Sequence, residues 1–301
     1  MACRFEVTLP VSDRAGVAVA TDALNLIDEL EAQLSIFRAS SEISFINRDA
    51  ARRAVALEHS LFDLLSLCKS LYEQTNGAFD VTAGALTRCW GFLKRSGRMP
   101  AADELEDARS LVGSDKLLLD EETRSVRFLR ERMEVNLGSI GKGYALDRVV
   151  TEMRDRVASA LLNAGASSMY AIGAGDRNEG WSVGLRDPRN KSRRLARLRL
   201  RECALSTSGS EEQFFEHDGR RYGHIIDPRS GWPAQRVTSV SVIARSAAIS
   251  DALATAFYIG GRELAENYCA ANSEVLAIML ERDAERPLVI GSNRGCRIEQ
   301  I

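Results

Sequence analysis

Lysine is scarce in this chain. Of 40 basic residues only five are lysine, at 69, 94, 116, 142 and 191, and the rest are arginine. A lysine beside other reactive groups therefore stands out. Histidine is scarcer still, with three copies: His59, His217 and His224. The six cysteines (Cys3, Cys68, Cys89, Cys203, Cys269, Cys296) form no CxxC and no paired spacing. Neither a disulfide framework nor a zinc site is expected, and Cys68 and Cys269 fall in apolar helical patterns as small core residues. Excess charge is also missing. A formal net charge of −2 gives no general attraction to nucleic acid or anionic lipid. No apolar run is long enough to span a membrane, and no charged segment leads into an apolar one as in a secretory leader. The chain as written is expected to be cytoplasmic, or periplasmic or membrane-anchored if a leader has been removed from it. Repeats and low-complexity tracts are absent.

What is present is ordinary globular material: 301 residues, 45% hydrophobic and 27% charged, enough for one large domain or two modest ones. RFEVTL (4–9) alternates as a strand, and 17–37 carries the 3.6-residue apolar spacing of a long helix. A second helix is expected over 58–75. Pro100 leads into another within 97–113. A hairpin follows at 117–129, then a strand at MEVNL (133–137), then a helix over 144–162. Strands dominate 168–245, including LARLRLREC, whose Arg194, Arg197, Arg199 and Arg201 read as a solvated sheet face. A helix spans 248–271, and VLAIML with RPLVIG form a last strand pair. Blocks of strands and helices with hairpins, without regular βαβ alternation, predict an α+β fold.

Four stretches have the makings of a site. VNLGSIGKGYALDRVV (135–150) runs from strand through a glycine-rich loop into a helix. Gly138, Gly141 and Gly143 permit close backbone approach, and Lys142 sets a positive charge at the helix mouth, which suits a diphosphate. It is neither a Walker A loop nor a GxGxxG fingerprint. SAAISDALATAFYIGG (246–261) starts a helix capped by Ser246 or Ser250. It places Asp251 and Thr255 four apart on one face, two hard oxygen donors suited to Mg²⁺. Its alternative is an acid favoured by the helix dipole alone. TNGAFDVTAGAL (75–86) is a turn, either structural or closing over an aromatic ligand. LSIFRASSEISFIN (34–47) ends one helix and starts another, capped by Ser40 or Ser41. Beyond these, RYGHIIDPRSGWPAQ (221–235) places His224 at a strand end before a Pro-Gly turn. By itself this is a strand-end histidine.

In this order FRASSEISFIN, NGAFDVTAG, NLGSIGKGYALD, LSTSGSEEQFF, YGHIIDPRSGWP and SDALATAF resemble the ApbE-type FAD:protein FMN transferases over nearly the whole chain. The resemblance implies an α+β fold of two closely packed subdomains acting as one domain, with the active site between them. It implies Mg²⁺-dependent cleavage of FAD, with FMN attached through its phosphate to a threonine or serine of a target flavoprotein and AMP released. The acceptor would carry a Ser/Thr-Gly-Ala-Thr-like segment. Carried over position by position, metal ligands fall on Asp251, Thr255 and Ser139, the last through its main-chain carbonyl. FAD contacts fall on Phe37, Ala78, Phe79, Asp80, Asn136, Lys142, Ile225 and Ala254, and the general base on His224. A hydroxyl attacking phosphorus gains from a nearby imidazole, whose ordinary titration lies near neutrality.

Three positions depart from the family pattern. Asn136 stands where many relatives have Asp, Phe37 where a Tyr commonly stacks on the flavin, and Ser210 where Asp is common. Many relatives are exported lipoproteins, but Cys3 has no apolar segment before it and is not expected to carry lipid. The same residues would also serve an FAD pyrophosphatase giving FMN and AMP, and Asn136 leans toward a non-catalytic FAD-binding protein.

Overall fold

The computed structural model describes residues 3–11, 13, 16–94, 96–175, 178–209 and 213–301. In chain order the first elements are β1 (Phe5–Thr8), α1 (Gly16–Leu34), α2 (Glu42–Asp49), β2 (Val55–Ala56) and α3 (His59–Gln74). Then come α4 (Gly84–Cys89), α5 (Ala102–Ser110), β3 (Leu117–Asp120), β4 (Ser125–Phe128) and α6 (Gly141–Met153). Strands follow: β5 (Ala160–Ala164), β6 (Ser168–Ile172), β7 (Trp181–Asp187), β8 (Asn190–Leu200), β9 (Cys203–Gly209), β10 (Phe214–His217), β11 (Arg220–Gly223) and β12 (Val237–Ala244). The chain ends with α7 (Ala247–Ala271), β13 (Leu276–Glu281), β14 (Leu288–Gly291) and β15 (Cys296–Gln300). The α+β expectation holds: among the described residues every strand ladder is antiparallel.

Two compact units are interleaved in sequence. One comprises Met1–Glu31, Ile140–Gly209 and Arg236–Ile301. It contains a seven-stranded sheet in the order β1-β5-β6-β9-β12-β13-β14 and a three-stranded sheet β15-β8-β7. A core of Val19, Ala23 and Ile27 from α1 with Leu146, Val149 and Met153 from α6 packs on Leu162 and Tyr170. A second core joins Leu205, Ile243 and Ile278 to Val183, Leu185 and Leu198 of the smaller sheet. In β8 the pairing of Leu185 with Ala196 and Arg186 with Arg194 leaves Leu195 as an extra residue, a bulge that buries Leu195 and Ala196 together. Arg194, Arg197 and Arg201 face solvent, and Arg199 pairs with Glu299 at 2.9 Å and Glu179 at 3.7 Å, so the arginine row is the solvated face its spacing predicts.

The other unit comprises Ala32–Ser139 and Ser210–Gln235. It holds the sheet β2-β4-β3 and the hairpin β10-β11. Its aromatic core centres on Trp90, which stacks with Tyr222 at 5.8 Å and meets Trp232 edge-on at 5.3 Å. The Trp90 Nε1–H donates to the Gly231 carbonyl at 2.9 Å. That bond ties the Asp227–Gly231 turn to the core, with Gly231 at φ 78° as such a turn requires.

Three local expectations change. MEVNL is not a strand: Glu134 makes one isolated bridge to Ala83, and 137–139 is a 3₁₀ turn. The Asn47 side-chain amide takes the place of a ladder there, accepting from Val135 N at 2.7 Å and donating to Val135 O at 2.9 Å. The helix expected over 144–162 stops at Met153, and 160–164 is β5. Its alanines suit a helix, but pairing with β1 and β6 buries Ala160, Leu162 and Ala164 at period two, and tertiary context wins. The chain also continues past β14 into β15, a strand too charged to announce itself.

Asp147, on α6, organises the start of α7. Its Oδ2 accepts from Ser246 Oγ at 2.6 Å and Ala248 N at 2.9 Å, and its Oδ1 from Ala247 N at 2.7 Å. Ser246, the N-cap, in turn accepts from Ile249 N at 3.2 Å. Asp147→Ala leaves these donors without their acceptor and is expected to cost about 1–3 kcal/mol, read as a lower denaturant midpoint at unchanged m.

Candidate active site

Within the first unit the glycine-loop helix and the Ala-rich helix meet at their N-termini. A Cβ on Gly143 would lie inside contact distance of the Ala247 carbonyl and 2.8 Å from the Ala248 Cα, so only glycine lets α6 approach α7 this closely. That approach brings the Gly143 N–H to Asp251 Oδ2 at 3.1 Å. The Lys142 ammonium lies 3.7 Å from Asp251 Oδ1. Asp251 is 5% exposed, and Ser168, wholly buried, donates to its Oδ1 at 3.2 Å. One turn along α7, Thr255 Oγ1 lies 3.2 Å from Ser208 Oγ. Ala254 is fully buried beside them.

The loop therefore differs in detail from a simple phosphate cradle. The Gly143 amide serves Asp251, and the Gly138 amide donates to Asn136 Oδ1 at 2.9 Å. Two of its three glycine N–H groups are engaged by side chains.

The donor set fits a small hard cation. It offers a buried carboxylate and a hydroxyl, with no group of three or more His, Cys, Asp or Glu among the described residues that would hold a metal by itself. Mg²⁺ suits such a set, since it usually takes one or two carboxylates and completes its shell with water and substrate phosphate. The Ser206 hydroxyl is buried and has no hydrogen-bond partner among the described residues, and Ser206 stands directly opposite Ser168 in the sheet. This is unspent polar capacity in register with the serine that serves the carboxylate.

The second unit presents the remaining predicted residues. His224 follows β11 directly; Ile225 and Ile226 do not form the strand their side chains suggest, and Ile226 makes a single bridge to Pro233. The half-buried imidazole has its Nδ1 3.1 Å from the Gln213 carbonyl, and the Phe92 ring lies edge-on at 6.4 Å. A carbonyl only accepts, so Nδ1 carries the hydrogen and the neutral ring keeps its lone pair on Nε2. Phe37, between α1 and α2, is 70% exposed, an open aromatic face. Ile225 is buried.

Ala78, Phe79 and Asp80 follow a turn with Asn76 and Gly77 at positive φ, and all three side chains are buried. Contact with a ligand there falls to the main chain. Asp80 Oδ1 accepts from Thr82 N (2.8 Å), Thr82 Oγ1 (2.6 Å) and Ser114 Oγ (2.7 Å), and Oδ2 from Ser114 N (3.2 Å). Asn136 N donates to Val81 O at 2.7 Å, which fastens Asn136 beside this loop. Ser139 ends the 3₁₀ turn, and Ser210 lies outside the described residues.

Burial pushes the Asp80 carboxyl above the ordinary carboxylate range, against the pull of its four donors. Raised in the fold, this group contributes stability that is full below its unfolded pKa and lost as pH rises through the folded value. The stability of the wild type relative to Asp80→Asn is therefore expected to fall as pH rises from about 4. Paired denaturation curves across that range check the slope.

Residues missed from the sequence share one character: they hold other groups. Asn47, Asp147 and Ser168 each bond a segment far away in the chain. Asn47 and Asp147 lie inside quoted motifs, whereas Ser168 lies in none and carried no signal.

A model described as the ApbE family matches residues 1–280. The FAD:protein FMN transferase of Klebsiella pneumoniae (strain 342) is 30% identical over 290 residues, 94% of this chain and 88% of that protein. That of Treponema pallidum (strain Nichols) is 32% identical over 263 residues, 82% of this chain and 72% of that one. The crystal structure of the ApbE protein from Thermotoga maritima matches with a TM-score of 0.83 at 28% identity, covering 95% of this chain and 92% of that one. Motif order, fold and relatives agree: the chain belongs to the ApbE family.

Proposed function

We propose that the protein transfers the FMN half of FAD to a threonine or serine hydroxyl of an acceptor flavoprotein and releases AMP. The observation that carries this reading is the buried Asp251 carboxylate beside the Lys142 ammonium, where α6 and α7 start together. It lies in a chain 30% identical to a protein named for that reaction. In this reading the 301 residues act as one catalytic domain.

The acceptor hydroxyl attacks the phosphorus on the FMN side of the diphosphate. A new P–O bond forms, the bridging P–O bond breaks, and AMP leaves with the bridging oxygen. His224 takes the hydroxyl proton on Nε2, while the Gln213 carbonyl holds Nδ1–H and so fixes the ring. Lys142 balances negative charge on the diphosphate and the departing AMP. Phe37 offers its open ring to the isoalloxazine, and main-chain groups of Ala78–Asp80 with Asn136 and Ile225 line the rest. Asp251, Thr255 and the Ser139 carbonyl would hold Mg²⁺, which when bound neutralises phosphate charge. The acceptor carries a Ser/Thr-Gly-Ala-Thr-like segment.

The test is FAD turnover with Mg²⁺, followed by AMP release and by the mass of a peptide bearing that segment. A mass gain equal to FMN, lost in His224→Ala and Asp251→Ala, supports transfer. AMP without a modified peptide points to hydrolysis to FMN and AMP. FAD that stays intact would leave a binding protein and remove His224 as base.

A further inference from the structure

We propose that Ser168 and Ser208, on the seven-stranded sheet beneath α7, are positioning residues that preset Asp251 and Thr255 as a pair of oxygen ligands. The inference rests on the metal-binding reading of that pair. Its basis is that each proposed ligand meets one serine hydroxyl from the sheet, and each contact permits the polarity that coordination needs.

An ionised carboxylate only accepts, so Ser168 Oγ donates to Asp251 Oδ1, at 3.2 Å. The Gly143 N–H holds the other oxygen at 3.1 Å. Anchored from two different elements, the carboxylate cannot turn about its own axis, and each oxygen retains lone-pair capacity in a fixed direction. A hydroxyl that gives a lone pair to a cation must point its hydrogen elsewhere. Ser208 Oγ, 3.2 Å from Thr255 Oγ1, is placed to accept that hydrogen.

Register explains why serines stand there. Ser168 is directly opposite Ser206, and Ser206 and Ser208 alternate onto the same face of β9. Three hydroxyls therefore line one face of the sheet, and the middle one, Ser206, is buried without a partner among the described residues. Close packing alone would be served as well by alanine at all three positions, without an orphaned hydroxyl. Outer groups of this kind, removed from a metal site, typically lower metal affinity 10- to 100-fold.

The experiment titrates Mn²⁺, as a probe, into the FAD-free full-length chain by calorimetry and electron paramagnetic resonance. Wild type, Ser168→Ala, Ser208→Ala, Ser208→Thr and Asp251→Ala are compared, with thermal midpoints taken in chelator. Expected are loss of binding in Asp251→Ala, a roughly 10- to 100-fold rise in Kd for both alanine variants, and recovery in Ser208→Thr. Metal-free midpoints stay close to wild type. Alanine variants that bind Mn²⁺ like the wild type while Asp251→Ala does not would overturn the positioning role and leave the metal reading standing. Unchanged binding in Asp251→Ala would remove both. Absence of binding in the wild type would also overturn the proposal, because a preset pair needs no substrate to take the ion. Should Ser168→Ala fail to fold, the half-exposed Ser208 and its threonine rescue decide alone.

Discussion

Asp251→Ala is expected to lower FMN transfer roughly a thousandfold, because charge stabilisation at a transferring phosphoryl group amounts to several kcal/mol. The reason lies in how the carboxylate is held. It is buried, met by an amide on one oxygen and a hydroxyl on the other, with the Lys142 ammonium 3.7 Å away. Removing it strips the site of a buried carboxylate and leaves the Gly143 amide and the Ser168 hydroxyl without their acceptor. Asp251→Asn is the sharper probe. It keeps the volume and one carbonyl oxygen but loses the charge, so activity should fall almost as far while the fold persists. Single-turnover AMP release, with circular dichroism on the same samples, separates lost chemistry from lost structure. Activity within a few-fold of wild type in both variants would sink the assignment of Asp251.

His224→Ala is expected to reduce kcat by about 10²–10⁴, the range for a general base, with little change in FAD affinity. The imidazole is fixed at Nδ1 by the Gln213 carbonyl, with the Phe92 ring edge-on at 6.4 Å. A group that acts on the acceptor's proton enters the transition state more than the ground state, so kcat falls while the FAD dissociation constant stays. The hydrolytic reaction should fall too, since water needs the same proton removed. A variant that lost FAD affinity in proportion to kcat would make His224 a binding residue instead.

Lys142 illustrates how far the sequence alone could go. Its scarcity in an arginine-rich chain and its place in a glycine loop marked it, and the fold brings it to Asp251 across 109 positions of sequence. The glycines around it were legible as permissive backbone, but their use was not. Gly143 is needed because α7 lies against α6, a fact that belongs to the pairing of two helices and not to the loop.

Chain pattern by itself determined most of the elements. The apolar spacing of α1, α3 and α7 and the turn chemistry around Gly77 and Gly231 are local, and each holds in the fold. Motif order likewise carries the resemblance to the ApbE family. The rest was decided by partners remote in sequence. Ala160–Ala164 is a strand because β1 and β6 flank it, and Val135 escapes a ladder because Asn47 satisfies its backbone. Asp147 and Ser168 acquire their roles only where α6, α7 and β6 meet. Local propensity is written residue by residue, whereas a hydrogen-bond partner 80 or 100 positions away exists only once the chain has folded.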